Sequence, residues 1–316
     1  MAAKRQFTGL QPSGKLHIGN YFGALKPFVD TYQDFESMLM VADYHTLTSL
    51  KDPKELKANI FEIVRAYVAA GVDPEKAIIF KQSDVPEHTE LAWIFETLVT
   101  VPFLMQAHAY KDKVAKGLEA NAGLFNYPML MAADILLYNT DIVPVGKDQQ
   151  QHVEYAREAA NKFNNAYGET FAEPKEKILE GVAIVPGTDG EKMSKSYKNY
   201  IPLFGSKDEI SKAVMSIVTD SSTDNGMPPP FLLAINELFA EKDKVVKRFH
   251  DNEGKYKAMK EGLIEDIEAV VAPMRAKYES ITDDDVKDIL KRGAEKARAI
   301  ASAKMVEVRN KIGVTL

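Results

Sequence analysis

Two stretches far apart in the chain carry side chains suited to handling phosphate. The first is Gln11-Pro12-Ser13-Gly14-Lys15-Leu16-His17-Ile18-Gly19-Asn20. An apolar run ends at Gly9, a Pro-Ser-Gly turn follows, and a helix-like pattern starts after His17, so the segment reads as strand, tight loop and helix N-terminus. Such a junction turns free backbone N–H groups and the positive end of a helix dipole toward an anion. His17 and Asn20 lie three residues apart. If His17 opens the helix, both face one ligand and donate to phosphate or ribose oxygens; a plain helix cap would use the same residues. The second stretch is Glu191-Lys192-Met193-Ser194-Lys195-Ser196, preceded by Gly187-Thr188-Asp189-Gly190. Two ammonium groups three residues apart on a glycine-flanked arm suit a pyrophosphate leaving group, whose charge grows in the transition state. Lysine pairs also occur on ordinary solvated surfaces.

Other residues narrow the chemistry. The chain has no cysteine, which excludes disulfides, thiolate nucleophiles and cysteine-held zinc or iron–sulfur centres. Asp134 sits inside the apolar run Met131-Ala132-Ala133-Asp134-Ile135-Leu136-Leu137-Tyr138, where a carboxylate is costly unless something pairs with it. Asp148 and His152, at helical spacing, suggest either half of a metal site or a capped helix start, and two ligands are too few for the former.

The elements that must position these residues are those of an α/β protein. Short apolar runs at Arg5 to Gly9, Ser37 to Ala42, Ala77 to Lys81, Ile142 to Val145 and Gly181 to Pro186 alternate with helical patterns such as Pro53 to Ala70, the signature of βαβ units on a parallel sheet. After Ser196 the pattern turns helical, with amphipathic segments at Asp208 to Ser216, Asn236 to Phe249, Gly262 to Ser280 and Asp284 to Ile312. The fold class expected is a Rossmann-like parallel-sheet nucleotide-binding domain with a smaller all-helical C-terminal domain, the boundary falling near Ile201 to Gly205. With 316 residues, 45% of them hydrophobic, the chain can bury a large core. No signal-peptide pattern and no apolar run of membrane-spanning length is visible, so the cytoplasm is expected and a membrane is not. A formal net charge of −6 argues against DNA or other nucleic acid held by bulk charge, leaving RNA binding to local basic surface.

Taken together, PSGKLHIGN near the start and KMSKS after an α/β core resemble the two signatures of class I aminoacyl-tRNA synthetases. The stretches GLQPSGKLHIGNYFGAL, YPMLMAADILLYNTDIVPVGKDQQQH and SIVTDS resemble those of the bacterial tryptophanyl-tRNA synthetases over nearly the whole chain. Asn20 fits that group, whereas Lys147 stands where an acid is often seen, and GVAIVPGTDGEK differs from the better-known form. The resemblance implies ATP-dependent activation of tryptophan, with Mg2+ arriving on ATP, followed by transfer to tRNA(Trp). It assigns Gln11, Pro12, Ser13, Gly19 and Asn20 to the nucleotide, His17 to its phosphates, Gly146, Lys147 and Asp148 to the ribose side, and Ile184 to the region of the adenine. Lys192, Met193, Ser194, Lys195 and Ser196 form the loop on the triphosphate, with Lys192 and Lys195 on the leaving group. Lys111 and Lys113 match a lysine pair that assists the triphosphate, although an exposed charge run explains them too. For tryptophan, Asp134 would accept from the indole N–H, Phe7, Gly9, Met131, Val143 and Val145 would form walls, and His45, Tyr127 and Gln149 would lie near the polar end; the apolar members would be core in any α/β protein.

The same resemblance implies a division into a catalytic domain over 1–200, a helical anticodon-binding domain over 201–300 and a C-terminal helix over 301–316 returning toward the catalytic domain. The last helix carries Lys287, Lys291, Arg292, Lys296, Arg298, Lys304, Arg309 and Lys311, a basic surface that fits tRNA or a solvated face. A homodimer is implied, with the apolar stretch Leu91 to Leu104 a contributor to its interface. The alternatives are a tyrosyl-tRNA synthetase, a non-catalytic paralogue and a small-molecule nucleotidylyltransferase; intact His17, Lys192 and Lys195 oppose the second, and the long helical C-terminal region opposes the third.

Overall fold

The computed structural model describes residues 4–117, 119–145, 150–178, 185–219, 228–252 and 255–316. Five strands, β1 (Arg5–Leu10), β2 (Glu36–Val41), β3 (Ala77–Lys81), β4 (Ile142–Val145) and β5 (Lys175–Ile178), form one sheet in the order β3-β2-β1-β4-β5 with every neighbouring pair parallel. The helices in chain order are α1 (Ile18–Asn20), α2 (Lys26–Thr31), α3 (Asp43–Thr46), α4 (Pro53–Ala69), α5 (Glu87–Glu96), α6 (Val101–Leu104), α7 (His108–Ala115), α8 (Ala122–Leu136) and α9 (Gln150–Tyr167). Beyond β5 come α10 (Lys207–Met215), α11 (Pro230–Glu237), α12 (Lys242–Asp251), α13 (Tyr256–Ser280) and α14 (Asp283–Ile312).

The strand period of two sorts the core into two layers. On β2, Met38 and Met40 join one cluster with Phe7, Phe80, Leu91, Met129 and Phe163, while Leu39 and Val41 join the other with Ile63, Tyr67 and Ile79. A parallel sheet covered on both faces explains why these strands read as continuous apolar runs. The second cluster runs without a break into Ile201, Leu203, Leu232, Phe249, Leu263 and Ile289, so the C-terminal helices share a core with one face of the sheet. Across that junction Arg65 donates to the Ile281 carbonyl at 3.0 Å, Tyr278 donates to Glu62 at 2.5 Å, and Phe204 stacks on Tyr278 at 4.4 Å.

Helix α14 crosses to the other layer. A Cβ on its Gly293 would stand 1.7 Å from the Ile79 carbonyl oxygen, so glycine is needed there for the helix to lie on the backbone of edge strand β3. Glycine inside a helix otherwise costs about 0.5–1 kcal/mol relative to alanine. Further along, Ala297, Ala301, Met305 and Val308 are buried in that layer, and Arg309 makes two hydrogen bonds to Glu90, at 2.7 and 2.5 Å.

Two sequence expectations need correcting. The fifth strand is Lys175–Ile178, while of the expected strand Gly181 to Pro186 only 185 and 186 are described, and Pro186 makes an antiparallel bridge to Lys192. Charged Lys175 and Glu176 suit a sheet edge and hide the apolar signal. The expected helix Asn236 to Phe249 is instead α11 and α12 with a break between them. There Phe239 leaves the helix to stand edge-on to Phe22, 5.0 Å between ring centres, a tertiary contact that outweighs local propensity.

Candidate active site

The sheet order reverses direction at β1, whose neighbours β2 and β4 lead to opposite edges. Ligands of open α/β sheets bind at such a switch point, outside the carboxyl ends of the strands. The chain leaves β1 at Leu10 and makes a turn in which the Ser13 N–H donates to the Gln11 carbonyl at 2.9 Å and Gly14 takes a φ of +95°. Pro12 is buried beneath, while Gln11 and Ser13 are exposed. His17 then caps α1, accepting at Nδ1 from the Asn20 N–H at 3.3 Å, while Asn20 Oδ1 accepts from the His17 N–H at 3.1 Å.

The cap and the ligand role are compatible. Because Nδ1 accepts, the imidazole proton resides on Nε2, which is left to donate. Burial, then the nearby Lys195 ammonium, lowers the His17 pKa to about 4, so the ring is uncharged at neutral pH and offers an N–H rather than a charge. A Cβ on Gly19 would lie 2.9 Å from His17 Nδ1 and 3.4 Å from Met193 Cβ; only glycine fits between the capping ring and the second motif. The helix continues through a wider turn at Tyr21–Leu25, a form concentrated at functional sites.

The two phosphate motifs meet. Ile18 N–H donates to the Ile201 carbonyl and Leu203 N–H to the Leu16 carbonyl, each at 3.0 Å, on either side of a bridge between His17 and Pro202. Lys195 Nζ donates to the Ser13 carbonyl at 2.6 Å and lies 3.4 Å from Ser13 Oγ. Burial lowers the pKa of this ammonium. Lys192 lies on the exposed edge of the same loop, with Ser194 half-buried and Ser196 exposed. The Met193 side chain is buried in the core, and its N–H donates to the Val185 carbonyl at 3.0 Å.

Buried Asn199 holds the loop: its Nδ2 donates to Asp189 at 2.8 Å and to the Lys192 carbonyl at 3.2 Å, and its Oδ1 accepts from the Ser194 N–H at 2.7 Å. Only its nearness to the motif marks Asn199 in the sequence. Lys111 and Lys113 lie on α7, and Lys111 donates to Gln106 at 2.5 Å. Gly146, Lys147, Asp148, Gln149 and Ile184 lie outside the described residues. Among the described residues no three His, Cys, Asp or Glu side chains gather as a metal site.

A second cluster forms where β2 and β3 end. Tyr127, Met131, Asp134 and Tyr138 recur at helical spacing along α8 and its continuation, so they share a face. Asp134 is 2% exposed. His45 Nε2, on α3 just past β2, is 2.8 Å from Oδ2; Gln82, just past β3, donates to Oδ1 at 2.8 Å and Oδ2 at 3.1 Å; and His88 Nδ1, on α5, is 2.6 Å from Oδ1. Gln82 Oε1 also accepts from the His45 N–H at 3.3 Å. Burial alone would raise the Asp134 pKa, but His88 and His45 together outweigh it and hold the carboxyl down to about 2.

Around this carboxylate, Phe7 stacks on Tyr138 at 5.6 Å, and Tyr127 stands edge-on to His45 at 6.4 Å and to His152 at 6.1 Å. Val143 is buried, Met131 and Tyr127 are half-buried, and Gly9 is exposed at the carboxyl end of β1. Burial raises the Tyr127 pKa, so it keeps its hydroxyl proton. The structure thus brings Phe7, His45, Tyr127, Met131 and Asp134 together, and adds Gln82, His88 and Tyr138, which sequence reasoning did not select. The rule that ligands gather past strand ends would have singled out Gln82; nothing in the sequence marks His88 apart from other buried histidines.

A nucleotide-type junction at the switch point, a lysine loop docked on it and a buried carboxylate beside it define an enzyme that activates a small acid with a nucleoside triphosphate. The profile of the tRNA synthetases class I (W and Y) matches residues 2–299, and the chain belongs to that family. Its relatives include the tryptophan–tRNA ligase of Fusobacterium nucleatum, 47% identical over 98% of both chains, and that of Rhodopirellula baltica, 44% identical over 98% of this chain and 99% of the relative. Among solved structures it is similar to the tryptophanyl-tRNA synthetase of Campylobacter jejuni complexed with ADP and tryptophan, with a TM-score of 0.89, 46% identity and 98% and 99% of the two chains covered. The Mycoplasma pneumoniae tryptophanyl-tRNA synthetase matches with a TM-score of 0.86 at 28% identity over 99% and 98%.

Proposed function

We propose that the chain is a tryptophan–tRNA ligase that forms tryptophanyl-adenylate from tryptophan and ATP, releases pyrophosphate and transfers the aminoacyl group to tRNA(Trp). The observation that carries this reading is the docking of Lys195 on the Ser13 turn beside His17, together with a buried carboxylate collected past β2 and β3. The tryptophan carboxylate attacks the α-phosphate in line, and no protein nucleophile takes part. Catalysis rests on positioning and on charge stabilisation of the phosphates.

ATP lies over Gln11, Pro12, Ser13, Gly19 and Asn20, and His17 Nε2–H donates to a phosphate oxygen. Lys195 exchanges the Ser13 carbonyl for the pyrophosphate as charge builds there, with Lys192 beside it and Lys111 and Lys113 assisting from α7. Residues 146–148 serve the ribose side, and the region of Ile184 serves the adenine. Mg2+ would arrive with ATP as part of the substrate and would supply charge neutralisation of the phosphates with few protein ligands. Asp134 accepts the indole N–H between walls formed by Phe7, Gly9, Met131, Val143 and Val145; His45, expected near the polar end, sits instead on Asp134 Oδ2, and Tyr127 and Gln149 lie toward the polar end.

Residues 1–200 form the catalytic domain and 201–300 the part that reads the anticodon, where unstacked bases are accessible one by one; 301–316 return to the catalytic domain. Trp93, Val101 and Met105 are 67%, 61% and 46% exposed, an apolar group that suits the face of a homodimer whose two subunits share each tRNA. No helix among the described residues is long and apolar enough to cross a membrane, and the cytoplasm, where tRNA is charged, is the place for this activity. Charging of purified tRNA(Trp) and tRNA(Tyr) with radiolabelled amino acids tests the reading: tryptophan on tRNA(Trp) alone supports it, and tyrosine on tRNA(Tyr) contradicts it.

A further inference from the structure

His88 is fully buried, contributes to neither the phosphate nor the indole contacts above, and bridges two groups. Its Nδ1 lies 2.6 Å from Asp134 Oδ1 and its Nε2 lies 2.8 Å from the Tyr138 hydroxyl. Phe80 stacks on the ring at 6.1 Å and fixes its plane, and α5, which carries it, packs on α8, which carries Asp134. Burial, then the negative charges of Asp134 and Glu87, push the Tyr138 pKa far up, so Tyr138 keeps its proton.

The roles along this chain follow. An ionised carboxylate only accepts, so Nδ1 carries the proton and faces Oδ1 in a 2.6 Å ion-pair contact rather than an aligned hydrogen bond. Nε2 is then left to accept from the Tyr138 O–H. A carboxylate offers about four lone-pair positions. His88 and Gln82 occupy Oδ1, at 2.6 and 2.8 Å, and His45 occupies Oδ2 at 2.8 Å, with Gln82 reaching it at 3.1 Å. The second position on Oδ2 is held only by the longer of the two Gln82 contacts, at 3.1 Å, which a ligand with a single N–H such as indole can displace.

We infer that His88, held by Tyr138, is a positioning residue for amino-acid selection: it occupies and orients Oδ1 so that Asp134 presents one aligned acceptor, on Oδ2, to the substrate N–H. This rests on the reading of Asp134 as the indole acceptor. The consequence is specific to the N–H, because a ring of the same shape without that donor gains nothing from an oriented acceptor. Packing around the ring, by contrast, serves both substrates alike.

The test compares tryptophan with 3-benzothienylalanine, in which sulfur replaces the indole N–H, in ATP–pyrophosphate exchange by the full chain. His88→Leu is expected to lower kcat/KM for tryptophan by about 10–100-fold, the scale of a lost hydrogen bond to a charged group, and to change that for the analogue by less than about threefold. His88→Asn, whose amide can stand in for Nδ1–H, is expected to restore most of the preference, and Tyr138→Phe to lose about threefold to tenfold of it with little change in volume. Should His88→Leu not fold, His88→Asn and Tyr138→Phe decide the matter by the same ratio. Equal losses for both substrates would assign His88 to packing and overturn the inference. Asp134→Asn run alongside separates the two levels: a collapsed preference there with none in the His88 and Tyr138 variants overturns the role of His88 alone, whereas an unchanged preference in Asp134→Asn overturns the reading of Asp134 as well.

Discussion

The amino-acid end of the site holds Asp134 with three side chains inside the molecule, whereas the pyrophosphate end holds Lys195 by one carbonyl and one hydroxyl on a half-exposed turn. The first is finished before substrate arrives. The second must exchange partners during the reaction. The difference matches what each end does: selection among amino acids needs a fixed acceptor that an analogue leaves unpaired, while acceleration needs contacts that strengthen only as charge develops on the leaving group. A loop anchored at its root by Asn199 and docked at its tip by a replaceable contact suits the latter.

The contrast predicts different kinetic signatures. The largest effect is expected from Lys195→Ala, which should lower kcat for pyrophosphate exchange by about 10²–10³-fold, the scale of losing a transition-state donor, while KM for tryptophan stays within about threefold. A loss confined to KM would break the comparison. Next, Asp134→Asn should lower kcat/KM for tryptophan by about 10–100-fold and raise relative use of phenylalanine, with KM for ATP unchanged; unchanged selectivity would remove Asp134 from recognition.

Asn199→Ala should loosen the loop root and lower kcat by about tenfold without altering selectivity among amino acids, which steady-state kinetics with tryptophan and phenylalanine would show. The smallest kinetic effects, about threefold in KM for ATP, are expected from Lys111→Ala and Lys113→Ala, since exposed charges contribute little. A change in KM for tryptophan instead would shift α7 from one end of the site to the other.

The pH dependence of stability adds a further check on the phosphate end. His17 takes up a proton only near pH 4 when folded, whereas an unfolded histidine does so near 6.5. Between those values the unfolded chain binds a proton that the native site refuses, so this group lowers stability progressively as pH falls through that window. In His17→Asn that component should vanish, and urea unfolding at pH 7 and pH 4.5 would reveal it as a smaller drop than in the parent. An equal drop in both proteins would mean that His17 is not held unprotonated by its burial beside Lys195.

Much of this was visible in the residues. Four strands stood out because each lies in an apolar run, and the two phosphate motifs stood out because glycine, histidine and lysine occur there at spacings that packing alone does not demand. Strand β5 was hidden because an edge needs no apolar run, and the break after Glu237 because Phe239 answers to Phe22, distant in sequence. His45, Tyr127 and Asp134 came from resemblance together with the oddity of a carboxylate in an apolar helix. Gln82, His88 and Tyr138 were not selected, since the importance of Gln82 and His88 lies in which oxygen of Asp134 they touch and that of Tyr138 in its contact with His88, and that geometry exists only once β3, α5 and α8 are packed.

The measurement that bears most directly on the whole account is amino-acid-dependent ATP–pyrophosphate exchange by the purified protein, run with tryptophan, with tyrosine and with neither. Exchange stimulated by tryptophan alone is the predicted result. Stimulation by tyrosine would contradict the assignment of Asp134 while leaving the phosphate end intact, and no exchange with either would contradict the activation chemistry assigned to His17 and Lys195.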